Sequence, residues 1–238
     1  MKEKLLDKLR LSLLNKANIE IRNSSSRFFK KGEEALVYGV KSVEIAKISN
    51  EFRILIKTYS KQDVFAICEE LWKSGYLEEA IIACKFTESL MKQYEPIDFN
   101  TFERWVNKYV NNWAACDTLC NHTIGNFIML YPEYINELKK WTQSNNRWLR
   151  RASAVTLIIP ARKGLFLEEI FEIADKLLMD KDDLVQKGYG WMLKSASKSN
   201  QKAVFDYVVS KKEMMPRTAL RYSIEKMPNE LKIIVMKK

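Results

Sequence analysis

Residues 134–141 read Tyr134-Ile135-Asn136-Glu137-Leu138-Lys139-Lys140-Trp141, and a turn of Ser144-Asn145-Asn146 follows. Trp148-Leu149-Arg150-Arg151-Ala152 then opens a second periodic run, which reaches Ile159 and meets Pro160. Apolar residues recur at helical spacing in both runs, serine and asparagine favour a helix cap, and proline resists continuation. The stretch therefore predicts a helix, a turn with a cap, a second helix and a stop at Pro160. Upstream, Phe127, Leu130 and Tyr131 lead into Pro132. Downstream, residues 167–179 predict a helix, Asp182 and Asp183 cap the one carrying Trp191, and residues 204–209 and 219–227 complete the series. Helix pairs recur about every 35–40 residues, near the period of HEAT-like solenoids.

The first half has the same grammar. Leu5, Leu6, Leu9 and Leu13 mark one helix, and Phe28, Phe29 and Leu36 lie around the end of another. Tyr38-Gly39-Val40-Lys41-Ser42 interrupts the pattern, with Ser42 expected to cap a helix through Ile45, Ile48, Phe52 and Ile56. Phe65, Cys68, Leu71 and Trp72 form a further stripe closed by Ser74-Gly75, and an apolar-rich helix covers 77–91. Phe102, Trp105 and Tyr109 form the next. Only 7 glycines and 5 prolines punctuate 238 residues, and no segment alternates like a strand. The expected fold is one all-α domain over 1–238, a HEAT-like helical-repeat solenoid, curved, with a basic concave groove.

Charge narrows the function classes. Forty Lys and Arg against 30 Asp and Glu give a formal net charge of +10, which favours an anionic partner, nucleic acid before an acidic membrane surface. No apolar run approaches the roughly 18–20 residues that span a bilayer. The N-terminus alternates Lys2, Lys4, Asp7, Lys8 and Arg10 with leucines, unlike a signal peptide. Cys68, Cys84, Cys116 and Cys120 fall in helical patterns, which suggests buried, reduced thiols in a cytoplasmic protein. Cys116, Cys120 and His122 are an incomplete set for zinc, so no metal is expected. A single histidine gives His-based catalysis little to build on, and no glycine-rich loop would cradle a nucleotide phosphate. No cofactor is expected.

The stretch with chemical content is Asn111-Asn112-Trp113-Ala114-Ala115-Cys116-Asp117-Thr118-Leu119-Cys120. Trp113 and Asp117 are four apart and share one helical face. Two later stretches, Arg147-Trp148-Leu149-Arg150-Arg151-Ala152 and Gln186-Lys187-Gly188-Tyr189-Gly190-Trp191, are basic and aromatic too. Lys139, Lys140, Arg147, Arg150 and Arg151 come with no acid between them; Lys187, Lys194, Lys198 and Lys202 form a second such run, and Arg217 and Arg221 add a third group. Each feature alone reads as packing or a solvated face. Together they suggest an acid held among tryptophans in a positive groove that tracks phosphates, suited to a damaged base on its backbone. Trp72, Trp105, Trp141 and Trp148 are assigned to packing, and Gly188 and Gly190 to close approach by another helix or by phosphate.

These motifs resemble the DNA alkylation repair glycosylases built of HEAT-like repeats, the AlkD type. The carriers are Trp113-x-x-x-Asp117, Trp148-Leu149-Arg150-Arg151-Ala152 and Gln186-Lys187-Gly188-Tyr189-Gly190-Trp191-Met192-Leu193-Lys194, clearest over 105–227. Tyr38-Gly39-Val40-Lys41 and Glu70-Leu71-Trp72 extend the likeness upstream. The resemblance implies excision of cationic N-alkylated purines, 3-methyladenine and 7-methylguanine, from double-stranded DNA in base excision repair. It implies Asp117 as catalytic carboxylate, Trp113 and Trp191 as the aromatic pair around the lesion's deoxyribose, Arg151 as cleft arginine and Phe28 as a further cleft aromatic. Phe28 stands where some relatives carry tyrosine. The basic runs make Arg150, Lys187, Lys194 and Arg221 candidate contacts to the DNA backbone. A monomer without a membrane partner is expected.

Two other readings remain open on the residues. One is a HEAT-like module that binds DNA without chemistry, and the other a protein-binding solenoid. An acid kept in a basic groove repels phosphate, so Asp117 favours the enzyme.

Overall fold

A computed structural model of the chain describes residues 2–29, 33 and 35–237. Helices fill the first half: α1 (Lys2–Asn15), α2 (Ile19–Ser25), α3 (Ser42–Leu55), α4 (Lys61–Lys73), α5 (Leu77–Glu88), α6 (Asp98–Lys108) and α7 (Trp113–Thr118). In the second half follow α8 (Gly125–Leu130), α9 (Ile135–Trp141), α10 (Arg147–Val155), α11 (Ile158–Arg162), α12 (Leu167–Leu177) and α13 (Asp183–Ala196). α14 (Gln201–Lys211), α15 (Arg217–Ile224) and α16 (Asn229–Met236) end the series. Among the described residues the extended pairing is one isolated bridge between Leu36 and Tyr76. The fold is all-α and built of helical repeats, as the sequence pattern predicts.

Asn146 and Asp182 cap α10 and α13, accepting from the Trp148 and Leu184 N–H groups at 2.9 Å each. Two expectations are corrected. Ser42 is the first residue of α3, and Lys41 occupies the cap position with no side-chain cap bond. The run 148–159 is not one helix ended by Pro160: α10 ends at Val155 and Pro160 lies within α11. As third residue of α11, Pro160 sits in a first turn whose N–H groups have no intrahelical acceptor, so its missing donor is tolerated.

The chain divides into two compact units, Met1–Leu119 and Cys120–Lys238. In the first, α5 packs against α3, α4 and α7, and α1 lies on α3 and α4. Leu9, Leu13, Ile67, Leu71, Ile82, Phe86, Phe102 and Trp105 are almost fully excluded from water. In the second, α13 is central, packed by α10, α11, α12 and α15, with Tyr189 buried at its middle.

Two adjacent buried carboxylates on α5 tie the polar segment after α2 to this first unit. Glu78 accepts from three successive backbone N–H groups, Tyr38 at 3.1 Å, Gly39 at 2.9 Å and Val40 at 3.1 Å. Glu79 accepts from the Arg10 guanidinium and from the Tyr38 hydroxyl at 2.7 Å. Burial, then this hydrogen bond, push the Tyr38 phenol upward. Gly39 has φ +88°, and a Cβ there would lie 2.4 Å from the Asn18 carbonyl oxygen, so only glycine fits. Each orphaned buried donor costs about 1–3 kcal/mol. Glu78→Ala is therefore expected to destabilise the protein by about 3 kcal/mol or more, read as a lower midpoint in urea unfolding.

All four cysteines are buried free thiols. Burial pushes the Cys68 thiol up to about 12 and Cys84 well above its ordinary value. No helix among the described residues is long and apolar enough to cross a membrane.

Candidate active site

The acid and one indole come from a single short helix. Asn112 caps α7 with its side-chain oxygen on the Ala115 N–H at 2.9 Å, so Trp113 is the first helical residue and Asp117 follows one turn later. Asp117 is 9% exposed and Trp113 partly exposed. Past Thr118 the chain widens into a π-helical turn, Leu119–Ile124, a geometry that often marks functional sites.

Phe28 and Trp113 are brought together, but not ring to ring. The Trp113 indole N–H donates to the Phe28 carbonyl at 3.1 Å. The ring that packs on Trp113 is that of Phe29, with centroids 6.0 Å apart and planes tilted by 38°. Phe28 as a residue is 69% exposed. The sequence points to Phe28 as the cleft aromatic and to Phe29 only as an apolar residue near a helix end; neighbours at the end of a 3-10 turn point in different directions, which the sequence does not reveal.

In the second unit, Arg151 is buried on α10 and crosses α13. Its guanidinium donates to the Leu184 carbonyl. A Cβ on Gly188 would lie 3.4 Å from the Arg151 Cγ and 3.6 Å from its Nη1, so Gly188 gives this side chain its passage. Lys187, Trp191 and Lys194 follow at i, i+4 and i+7 along one face of α13. Trp191 is partly exposed. Trp72, Trp105, Trp141 and Trp148 are 0–8% exposed, so the six tryptophans separate into four buried and two accessible ones.

Several basic candidates already have protein partners. Arg150 pairs with Asp180 at 2.7 Å and donates to the Ser144 and Asn145 carbonyls, holding the turn before α10. Lys187 pairs with Asp183 at 2.8 Å. Lys194 pairs with Glu225 at 2.9 Å and lies 5.4 Å from the Tyr222 ring centre. Arg221 is exposed, and no ion pair to it is found among the described residues. Asp180 and Glu225 leave no periodic signal, because they lie 30 and 31 residues from Arg150 and Lys194, whereas Asp183 stands one helical turn before Lys187 on α13. No group of three or more potential metal ligands clusters among the described residues.

The chain as a whole matches a known family. The family model for the DNA alkylation repair enzyme matches residues 9–227. The chain belongs to the DNA alkylation repair enzyme family. Its fold is similar to that of a predicted DNA alkylation repair enzyme from Enterococcus faecalis, with a TM-score of 0.79 at 16% identity, over 90% of this chain and 98% of that one. No curated protein matches it.

Proposed function

We propose that the protein is a monofunctional DNA glycosylase that hydrolyses the N-glycosidic bond of cationic alkylated purines, 3-methyladenine and 7-methylguanine, in duplex DNA. The observation that carries this reading is the pairing, on one capped helix of a DNA alkylation repair family member, of a nearly buried carboxylate with an accessible indole one turn away.

The chemistry suits those groups. Alkylation gives the purine a positive charge, so it leaves neutral with the glycosidic electron pair. The deoxyribose gains oxocarbenium character as that bond breaks. Asp117 stabilises the developing charge and orients the water whose oxygen bonds to the anomeric carbon, its proton passing to the carboxylate or to solvent. Trp113 and Trp191 attract the cationic sugar through their ring faces, worth about 1–2 kcal/mol each when desolvated. Arg151 and Phe28 complete the lesion contacts in this reading. Arg150, Lys187, Lys194 and Arg221 contact the backbone, and the base is not swung into a pocket. The product is an abasic site with an intact strand. A cytoplasmic monomer over the single span 1–238 fits the proposal.

Backbone binding makes a separate demand. Arg150, Lys187 and Lys194 must exchange a carboxylate for a phosphate, whereas Arg221 need not. Arg221→Ala is expected to weaken binding to any duplex and reduce the salt slope by about 1, measured by anisotropy titrations at several salt concentrations. The proposal itself is tested by incubating methylated duplex DNA with the protein and separating the soluble products. Free 3-methyladenine and 7-methylguanine are the expected products; salt-dependent binding with no release would instead indicate a DNA-binding module without chemistry.

A further inference from the structure

We propose that the N-terminal 3-10 turn Ser26–Phe28 with the following Phe29 is a positioning element for Trp113, and that Phe29 is a positioning residue for excision; the role in excision rests on the reading of Trp113 as a lesion contact. Trp113 starts a six-residue helix and is partly exposed, so α7 alone leaves its two side-chain torsions weakly defined. Two contacts, from 85 and 84 residues away, define them. The Phe28 carbonyl accepts the indole N–H at 3.1 Å, which sets the direction of the ring edge. The Phe29 ring, 6.0 Å away and tilted by 38°, backs one side of the indole.

The turn is itself anchored. The Asn18 side chain caps α2, accepting from Glu20 N–H at 2.8 Å and Ile21 N–H at 3.0 Å. The Asn18 N–H donates to the Gly39 carbonyl at 3.1 Å, and the Gly39 N–H donates to Glu78 at 2.9 Å. Glu78 belongs to α5, which also packs on α7. The circuit closes: α5 supports the start of α7 directly and holds the indole through Gly39, Asn18, α2 and the turn. A ring fixed before binding does not lose rotational freedom when it meets the sugar. The two phenylalanines divide the work, Phe29 backing the indole while Phe28 stays exposed.

The test uses the full chain labelled with 5-fluorotryptophan, its Trp113 resonance assigned by Trp113→Phe. Phe29→Ala is expected to shift or broaden the Trp113 fluorine signal and leave the other five in place. Phe29→Tyr is expected to restore the native position. On a duplex carrying one 7-methylguanine, Phe29→Ala should lower the saturating single-turnover rate by about 3–10-fold while affinity for unmodified duplex holds. An unmoved Trp113 signal in Phe29→Ala overturns the positioning claim. If the native chain excises nothing, the glycosylase reading and the role in excision fall together, and the fluorine signal alone decides whether the turn orients Trp113.

Discussion

Asp117→Asn is expected to bind duplex DNA at least as tightly as the native chain and to excise alkylated purines about 10²–10³-fold more slowly, the effect of removing one preplaced electrostatic stabiliser. The substitution keeps the side chain's shape and one carbonyl acceptor, and the cap of α7 is Asn112, so the helix should persist. What it removes is the negative charge. That charge repels phosphate in the ground state and attracts the sugar only as the glycosidic bond breaks, so binding and rate should move apart. Single-turnover release alongside anisotropy titration separates the two. A native rate from this variant would remove the carboxylate from the mechanism.

Gly190→Ala is expected to destabilise the second unit by about 1–3 kcal/mol, the usual range for overpacking. A Cβ there would lie 2.7 Å from the Tyr222 Cβ, 2.9 Å from the Ala219 carbonyl oxygen and 3.2 Å from the Ala219 Cα. Two of those atoms are α15 backbone and cannot rotate away, so α13 and α15 must separate. Helix propensity acts in the opposite direction, favouring alanine by about 1 kcal/mol in a helix interior. The sign of the measured change decides which effect wins. Gly188→Ala should cost less, because its nearest neighbour is the Arg151 side chain at 3.4 Å. Thermal unfolding checks both, at about 2–4 °C per kcal/mol for a protein of this size. A Gly190→Ala protein more stable than the native one would contradict the close crossing of α13 and α15.

Local signals carried most of the helix assignment. Asn146 and Asp182 cap where their spacing predicts, because a cap bond spans only two or three residues. Pro160 misled for a related reason: its effect depends on where in the helix it falls, and the break at Thr156 and Leu157 has no side-chain signature. The burial of four tryptophans was legible from their apolar neighbours. The Glu78 cradle was not, since it is made of backbone N–H groups some 40 residues away. Arg150 illustrates the same gap. An acid-free run of basic residues reads as an open phosphate track, yet Asp180 is brought in from 30 residues downstream. Trp113 and Asp117 were paired by helical spacing alone, whereas the contact of Trp113 with the Phe28 carbonyl required the fold.

The most direct measurement places one 7-methylguanine in a labelled duplex and follows the strand with native protein and with Asp117→Asn. With the native protein the strand should stay intact until an abasic-site endonuclease is added under mild conditions and then break at the modified position, as an abasic site without lyase activity requires; with Asp117→Asn it should barely break. A strand that survives the endonuclease after prolonged incubation with saturating native protein would contradict the glycosylase account.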